Sequence, residues 1–263
     1  MGTETHQLPA YHETNIMDPD QIRNWRPSRF SEVVGADNQR RIRRLQRKLL
    51  KGRLPTPLML VGVYGYGKTS LARLLLKSLC CEHRNPVTAD PCSDCQWCRC
   101  FGKIYNGYGQ PYRRCECDCT TLNRTQLIEV LDEHRFEDDV ALFMDEFHHL
   151  HEKRSQEAML KFVEDFDGLL ITAIMEDRLE EVIPPLRERF EVIRMSPPEE
   201  HEMVEFFTMM SDAWKVRTKH DVLHFMVKES GKSFRFGIKA HAAAADEPDR
   251  TLTESLIQDL LGI

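Results

Sequence analysis

Apolar and polar positions follow two different periods along the first three quarters of the chain. Short apolar runs, such as those at 58–61 and 140–144, have the length of buried strands. Between them lie longer segments in which apolar residues recur every three or four positions, as on one face of a helix. This alternation predicts an α/β fold with a parallel sheet that helices cover on both faces. The predicted strands are 58–63, 113–119, 140–144, 169–174 and 190–195.

Only helical patterns occur after the two prolines at 197 and 198. We therefore expect a core over 21–196 and an all-helical segment over 197–263. Residues 1–20 are polar and lack the apolar centre of a signal peptide, so we expect a flexible leader. The predicted helices are 37–51, 70–79, 124–134 and 155–165 in the core, followed by 199–212, 221–229, 233–245 and 252–261.

Charge is distributed unevenly along the chain. The net charge of −6 argues against general binding to polyanions, but 40–53 carries eight Arg and Lys residues and no acid. Such a stretch is usually a solvated helix face, and contact with DNA phosphates is the alternative. No apolar run approaches the roughly 18 residues of a membrane span, so we expect a soluble, cytoplasmic protein without a membrane partner.

The most specific motif is Gly62-Val63-Tyr64-Gly65-Tyr66-Gly67-Lys68-Thr69. It fits the phosphate-binding loop G-x-x-x-x-G-K-[ST] (Walker A) in its required place, between a buried strand and a helix. Backbone N–H groups of such a loop, with the helix dipole behind them, bind phosphate oxygens. The lysine would reach the β- and γ-phosphates, and the hydroxyl of Thr69 would bind Mg²⁺. The predicted nucleotide-binding residues are Gly62, Gly65, Gly67, Lys68, Thr69 and Ser70.

Two acids follow the most apolar run of the chain, Val140 to Met144. Asp145 is placed to hold Mg²⁺ across from Thr69, and Glu146 to orient and deprotonate the attacking water. The alternative is that the two acidic residues lie at the start of a loop and have no catalytic role. With a phosphate-binding loop in the same chain, we favour the acidic box of a nucleotide hydrolase (Walker B).

All nine cysteines lie between Cys80 and Cys119, which is unlike a secreted disulfide scaffold. The spacing Cys92-x2-Cys95-x2-Cys98 preforms ligand pairs on turns, and Zn²⁺ takes four thiolates tetrahedrally. Reduced thiols in a loop are the alternative. Cys100 is a spare candidate ligand. The alternating cysteines at 115, 117 and 119 are expected to be core residues or simple thiols.

The order of these motifs resembles the AAA+ ATPases of the clamp-loader group, and within it the gamma/tau subunits of bacterial DNA polymerase III. The likeness covers about 25–263. The segments that carry it, besides the phosphate loop and the cysteines, are Arg26-Pro27, Phe30-x-x-Val33-Val34-Gly35, Asp145-Glu146-Phe147-His148, Met159-Leu160-Lys161-Phe162-Val163-Glu164 and Pro185-Leu186-Arg187-Glu188-Arg189-Phe190.

The resemblance implies an AAA+ P-loop core with a parallel five-stranded sheet, an inserted zinc module at about 80–100 and a helical lid at 197–263. It implies that Arg189 reaches into the ATP of a neighbouring subunit and that Arg235 touches the γ-phosphate from the lid. It places the first zinc ligand at Cys81 rather than Cys80. Implied adenine-flanking residues are Val33, Val34 and Gly35; implied zinc ligands are Cys81, Cys92, Cys95 and Cys98.

The chain departs from the family pattern after its fourth strand, where the family has Asn or Thr to sense the γ-phosphate. The candidates here are Thr172 within the strand and the acids Glu176 and Asp177 after it, and an acid would repel phosphate. Since the sequence stops at Ile263, we also expect no collar domain. The histidines at 148, 149 and 151 are expected to be solvated loop residues rather than metal ligands.

Two functions remain open at this stage. One is a clamp-loader-type ATPase in DNA replication, with ATP, Mg²⁺ and Zn²⁺ bound. It would work as an oligomer of AAA+ subunits, with DNA and a sliding clamp as partners. The other is an ATP-switched assembly or recruitment factor of a mobile element, phage or plasmid.

Overall fold

The computed structural model describes residues 25–54, 56–100, 107–108, 113–136 and 140–263. The predicted leader lies outside these residues. The described chain forms two compact units: a core that begins at Arg26 and ends at Glu202, and a C-terminal unit of Met203–Ile263 together with Trp25. None of its helices is long and apolar enough to cross a membrane.

The core contains a sheet of six strands among the described residues, in the order β2-β3-β4-β5-β1-β6. The five predicted strands are present and run parallel to their neighbours. The expected parallel five-stranded sheet is confirmed. The short β2 adds a sixth strand, which pairs antiparallel with β3 at the edge. The strands are β1 (Leu58–Gly62), β2 (Gly107–Tyr108), β3 (Arg113–Asp118), β4 (Val140–Asp145), β5 (Leu169–Met175) and β6 (Glu191–Arg194).

Helices cover both faces of this sheet, as the alternating pattern predicts. Side chains of β1 alternate between two buried clusters: Leu58 and Leu60 belong to one, Met59 and Val61 to the other. The core helices are α1 (Ala36–Leu50), α2 (Lys68–Cys80), α3 (Gln96–Cys100), α4 (Arg124–His134), α5 (Lys153–Asp165) and α6 (Pro184–Arg187). Short 3₁₀ turns occupy Phe30–Glu32, Phe147–His149 and Glu176–Glu181.

The two faces of β3 differ in chemistry, in agreement with the alternation of its sequence. Cys115, Cys117 and Cys119 are buried in the cluster beneath α4 and α5, which confirms that they are core residues. The intervening Glu116 makes a largely buried, bidentate ion pair with Arg73 of α2. This pair ties the helix that follows the phosphate-binding loop to the sheet.

The C-terminal unit is built of helices, with one isolated β-bridge between Arg217 and Thr251. Its helices are α7 (Glu200–Trp214, which begins within the core), α8 (His220–Glu229), α9 (Phe234–Asp246) and α10 (Glu254–Leu261). Trp25 packs edge-on against Phe206 and Trp214 of α7, with ring centroids 5.9 and 5.8 Å apart. Trp25, the first described residue, thus belongs to the C-terminal unit.

A fully buried histidine links α7 to α9. His241 Nδ1 lies 2.8 Å from the carbonyl oxygen of Gly237, and Nε2 lies 2.9 Å from Ser211 Oγ. Since the carbonyl only accepts, the ring donates from Nδ1. The Ser211 hydroxyl also lies 2.8 Å from the carbonyl oxygen of Phe207, to which it donates. Burial lowers the pKa of His241 to about 4, so the ring is neutral at pH 7.

Acidification is expected to destabilise the C-terminal unit through His241. In the unfolded chain the pKa of His241 is about 6.5, so between pH 6.5 and 4 the unfolded state binds a proton and the folded state does not. The free energy of unfolding should therefore fall as the pH drops from 6.5 to 4, by about 3 kcal/mol in total. Urea unfolding at pH 7, 5.5 and 4 measures this. His241→Gln cannot titrate and should lose that part of the pH dependence; an unchanged pH profile would contradict the assignment.

Candidate functional site

The candidate site lies along the edge where the parallel strands end. β1 and β4 both pair with β5, so the segments that follow them are separated by one strand at the same edge. The phosphate-binding loop follows β1, and the acidic pair occupies the end of β4. The fold therefore brings together two motifs that are almost 80 residues apart in sequence.

Two glycines fit the loop to the sheet and to α2. A Cβ atom on Gly62 would lie 2.8 Å from the carbonyl oxygen of Met195, so the close approach of the segment after β6 excludes a side chain there. Gly67 has φ of 84° and is the N-cap of α2, a backbone conformation that glycine adopts without strain. Gly65 lies in the turn before α2, and Ser70 lies in the first turn of that helix. Backbone N–H groups at a helix N-terminus favour anions.

Lys68 is buried at the centre of the loop. Its Nζ donates to the carbonyl oxygens of Gly62 and Val63, at 2.9 and 3.0 Å, and lies 3.5 Å from the sulfur of Met175. Burial lowers the pKa of Lys68, although the negative charges of Glu146, Asp145 and Asp177 oppose this. Its ammonium group is thus bonded to loop carbonyls, and the charges of the three acids act on it.

Thr69 and Asp145 meet at the point predicted for Mg²⁺. The Thr69 hydroxyl donates to Asp145 Oδ2 at 2.9 Å, and the backbone N–H of Glu146 donates to Oδ1 at 3.0 Å. Burial raises the pKa of Asp145, with the charge of Glu146 acting in the same direction. A half-buried carboxylate beside a hydroxyl is a donor set of the hard-oxygen kind that Mg²⁺ prefers.

Glu146 occupies a left-handed backbone conformation, with φ of 51°. This turns the chain sharply at the end of β4. Its Oε2 lies 3.6 Å from Nδ1 of His148, a buried ring nitrogen without a hydrogen-bond partner among the described residues. Burial and the neighbouring His149 lower the pKa of His148, which keeps the ring neutral. His148 is therefore largely buried against Glu146, and the expectation of a solvated loop residue was wrong for this histidine.

The segment after β5 distinguishes the three candidate sensors. Thr172 is fully buried in the middle of β5, and its hydroxyl has no partner among the described residues. Glu176 is in an ion pair with Arg194. Asp177 is exposed, and its charge acts on Lys68. Of the three, only Asp177 carries a charge that is among the causes of the pKa shift of Lys68.

The segment implied to flank adenine is held against the start of α1. Val33 is buried in the core cluster, and its carbonyl oxygen accepts a bond from Gln39 Nε2. Val34 accepts from Asn38 Nδ2 at 3.0 Å, and Gly35 is the N-cap of α1. The three residues form a fixed backbone segment directly before α1.

The two implied arginines lie in different units. Arg189 follows α6, is exposed, donates to the carbonyl oxygen of Pro185 at 2.7 Å and pairs with Glu164 of α5. Arg235 is exposed in the first turn of α9, in the C-terminal unit. Their roles stay predictions.

The four predicted zinc ligands form one cluster. Their sulfur atoms all lie within 4.8 Å of one another, and the sulfurs of Cys92 and Cys98 are 3.9 Å apart. Zn–S bonds of about 2.3 Å in a tetrahedron require sulfurs about 3.8 Å apart, so the spacing fits. Among the described residues this is the one group of three or more clustered metal-ligand side chains, so the loop histidines form no such group. The ligands are Cys81, Cys92, Cys95 and Cys98.

Backbone N–H groups prepare one of these thiols for ionisation. The amides of Cys95 and Asp94 donate to Cys92 Sγ at 3.2 and 3.4 Å. Burial by itself raises the pKa of Cys92, but these bonds outweigh it and lower the pKa to about 6. Burial raises the pKa of Cys81 and Cys98. A cation among the four sulfurs is what would ionise them together.

The fold and the site define a P-loop protein of the AAA+ class. A family model described as DNA polymerase III, delta subunit, matches residues 37–199, and the chain belongs to this family. The predicted resemblance to clamp-loader subunits of the gamma/tau type is confirmed.

Individual relatives agree with this assignment. The chain is 25% identical over 246 residues to DNA polymerase III subunit tau/gamma of Haemophilus influenzae, a match that covers 92% of this chain and 34% of that protein. It is 43% identical over 77 residues to subunit tau of Escherichia coli, covering 29% of this chain and 11% of that protein. The chain thus spans about a third, or less, of the length of these two relatives.

A solved structure matches the fold of nearly the whole chain. It is the Thermotoga maritima RuvB Holliday junction branch migration motor, with a TM-score of 0.61 and 16% sequence identity. The match covers 90% of this chain and 72% of that one. At this identity it shows the shared fold alone.

Proposed function

We propose that the chain is an ATP-hydrolysing AAA+ subunit of the clamp-loader type that acts on DNA as part of an oligomer. The observation that carries the proposal is the contact of 2.9 Å between Thr69 and Asp145, beside the buried Lys68. A phosphate-binding lysine, a hydroxyl and a carboxylate converge there, as the binding of a nucleotide with Mg²⁺ requires.

Each residue has a definite task in this proposal. Lys68 leaves the carbonyls of Gly62 and Val63 to bind the β- and γ-phosphates, and the loop N–H groups bind the remaining oxygens. Thr69 and Asp145 hold Mg²⁺, which neutralises developing phosphate charge when bound. Glu146 orients the attacking water and accepts its proton. We further assign Val33, Val34 and Gly35 to adenine, and Arg235 to the γ-phosphate as part of a C-terminal lid.

We also propose that the cysteine cluster holds one structural Zn²⁺. The cluster is fastened to the core at its base: the Ser78 hydroxyl of α2 donates to the Ala89 carbonyl, and Asp90 accepts from the N–H of Phe30 at 2.7 Å. A closed four-thiolate site leaves no open position for a substrate, so the metal would act on folding rather than on catalysis.

The second candidate is an ATP-switched assembly or recruitment factor. The acids after β5 favour it, because Glu176 and Asp177 follow the strand after which the resembling family carries a neutral γ-phosphate sensor. ATP turnover measured with primed DNA and a sliding clamp separates the two. Stimulation by both together supports clamp loading; turnover or assembly that responds to ATP alone supports the switch.

Arg189→Ala is expected to lower kcat at least tenfold without much change in ATP affinity. The arginine would complete the ATP site of a neighbouring subunit, where transition-state charge develops. Steady-state turnover and mass measurement of the ATP-bound assembly test this. Arg187→Ala, which changes a neighbouring ion-paired arginine, is the matched control. A fully active monomer would contradict the role in trans.

A further inference from the structure

The solvent face of α1 carries a line of basic side chains. Arg43, Arg44 and Arg47, together with the C-cap residue Lys51 directly after the helix, are here called the basic stripe, and all four are exposed. At 3.6 residues per turn they fall within an arc of about 100° and extend over about 12 Å. The opposite face of the helix, with Ile42, Leu45 and Leu49, is buried in the core.

The basic stripe has no acidic partners among the described residues, whereas two other cations of α1 have them. On α1 itself, Arg40 pairs with Asp37 and Lys48 with Glu191. Arg41 donates to Ser196 Oγ at 2.9 Å. For the stripe, the structure gives only a bond of 3.4 Å from Arg47 Nε to the carbonyl oxygen of Arg43, within the helix.

Forces within the chain do not account for this arrangement. Arg43 and Arg47, like Arg47 and Lys51, are four residues apart, where like charges destabilise a helix. Cations near a helix C-terminus are favourable, which suits Lys51, but Arg43 and Arg44 lie in the middle turns, beyond the reach of that effect. Four unneutralised cations in a chain of net charge −6 therefore point to an external anion.

The chemistry of the stripe favours a backbone of phosphates. Guanidinium groups bind phosphate oxygens in pairs, and three of the four residues are arginines. The apolar side of α1 is buried, so the helix has no apolar face to insert into a lipid surface. The stripe extends over roughly the rise of three to four base pairs.

We propose that the basic stripe of α1 binds the sugar-phosphate backbone of DNA. The inference rests on the proposed function only in taking DNA as the partner, and it does not depend on ATP hydrolysis. Binding through phosphates is independent of base sequence and depends steeply on salt.

The test compares the unmodified protein with the triple variant Arg43→Gln, Arg44→Gln, Arg47→Gln. Binding of a labelled 30-base-pair DNA duplex is measured by fluorescence anisotropy at several salt concentrations, without nucleotide and with a non-hydrolysable ATP analogue. If each arginine contacts one phosphate, the slope of log K against log salt should decrease in magnitude by about 2.7. Affinity at low salt should fall at least tenfold. The thermal midpoint should stay or rise, because like-charge repulsion within α1 is relieved.

A control variant carries the same charge change elsewhere, on the exposed lysines Lys161, Lys219 and Lys239. Replacing these three by Gln should leave the salt slope within about one unit of the wild-type value. Equal losses in both variants, or no loss in the stripe variant, would overturn the proposal. Tighter binding to duplex RNA or to anionic vesicles than to DNA would also overturn it. Lys68→Ala should bind DNA without nucleotide as the wild type does; this separates the stripe from the ATPase, which that variant should lack.

Discussion

Glu146→Gln is expected to lower kcat for ATP by a factor of about 10² to 10⁴ while ATP still binds. The amide keeps the size and the left-handed backbone position of Glu146 but cannot accept a proton. Lys68, Thr69 and Asp145, which would hold the phosphates and Mg²⁺, are untouched. Single-turnover phosphate release, with binding of a fluorescent ATP analogue measured separately, resolves the two effects.

The companion variant Lys68→Ala should lose ATP binding itself. The Lys68 ammonium group is the buried cation of the loop, and the negative charges of Asp145, Glu146 and Asp177 act on it. Without it, these charges would oppose the binding of phosphates. Lys161→Ala, an exposed lysine on α5, is the matched control. Wild-type turnover by Glu146→Gln would refute its role with water, and normal ATP binding by Lys68→Ala would refute the nucleotide site.

Purified protein is expected to carry one Zn²⁺ per chain, and Cys95→Ser to lose most of it. The cysteine sulfurs are already grouped within 4.8 Å, so little rearrangement opposes binding. Zinc binding to comparable four-ligand sites supplies about 10–16 kcal/mol of apparent free energy at pH 7, so loss of one thiolate should also unfold the segment locally. Elemental analysis and limited proteolysis between Cys81 and Cys98 measure these effects.

Cys117→Ala is the matched control for the metal, because Cys117 is buried in the core and lies outside the cluster. It should retain one Zn²⁺ per folded chain even if stability falls. ATP binding should survive in Cys95→Ser, because the loop, β1 and β4 do not include the cysteine segment. Wild-type protein without zinc after purification in metal-replete medium would contradict the site.

Local patterns predicted the framework well. The continuous apolar run of β4 predicts a strand buried on both faces. The alternating cysteines of β3 predict a strand and its buried face, because successive side chains of a strand point to opposite faces. The cysteine cluster was also foreseeable, since Cys92, Cys95 and Cys98 are close in sequence. Two-residue β2 was not, because it is too short for any period.

Contacts between distant segments could not be predicted in this way. Met175 ends β5 and Asp177 follows it, both more than 100 residues after Lys68, and they act on Lys68 only because β5 lies between β1 and β4. The burial of Thr172 was likewise not predictable from the sequence. A threonine could sense phosphate through its hydroxyl, but the position of Thr172 in the middle of β5 buries that hydroxyl.

The sequence by itself determined which chemical groups this protein has and the local shape that carries each: a glycine loop before a helix, an acidic pair after a strand, closely spaced thiols, and a helix with one basic and one apolar face. Only the tertiary structure decided which of these groups meet. The strand order places Thr69 within hydrogen-bond distance of Asp145. On α1, Lys48 forms an ion pair with Glu191, whereas the basic stripe has no acidic partner among the described residues. The physical reason is that backbone periodicity acts over a few residues, whereas charge, burial and hydrogen bonding depend on neighbours in space.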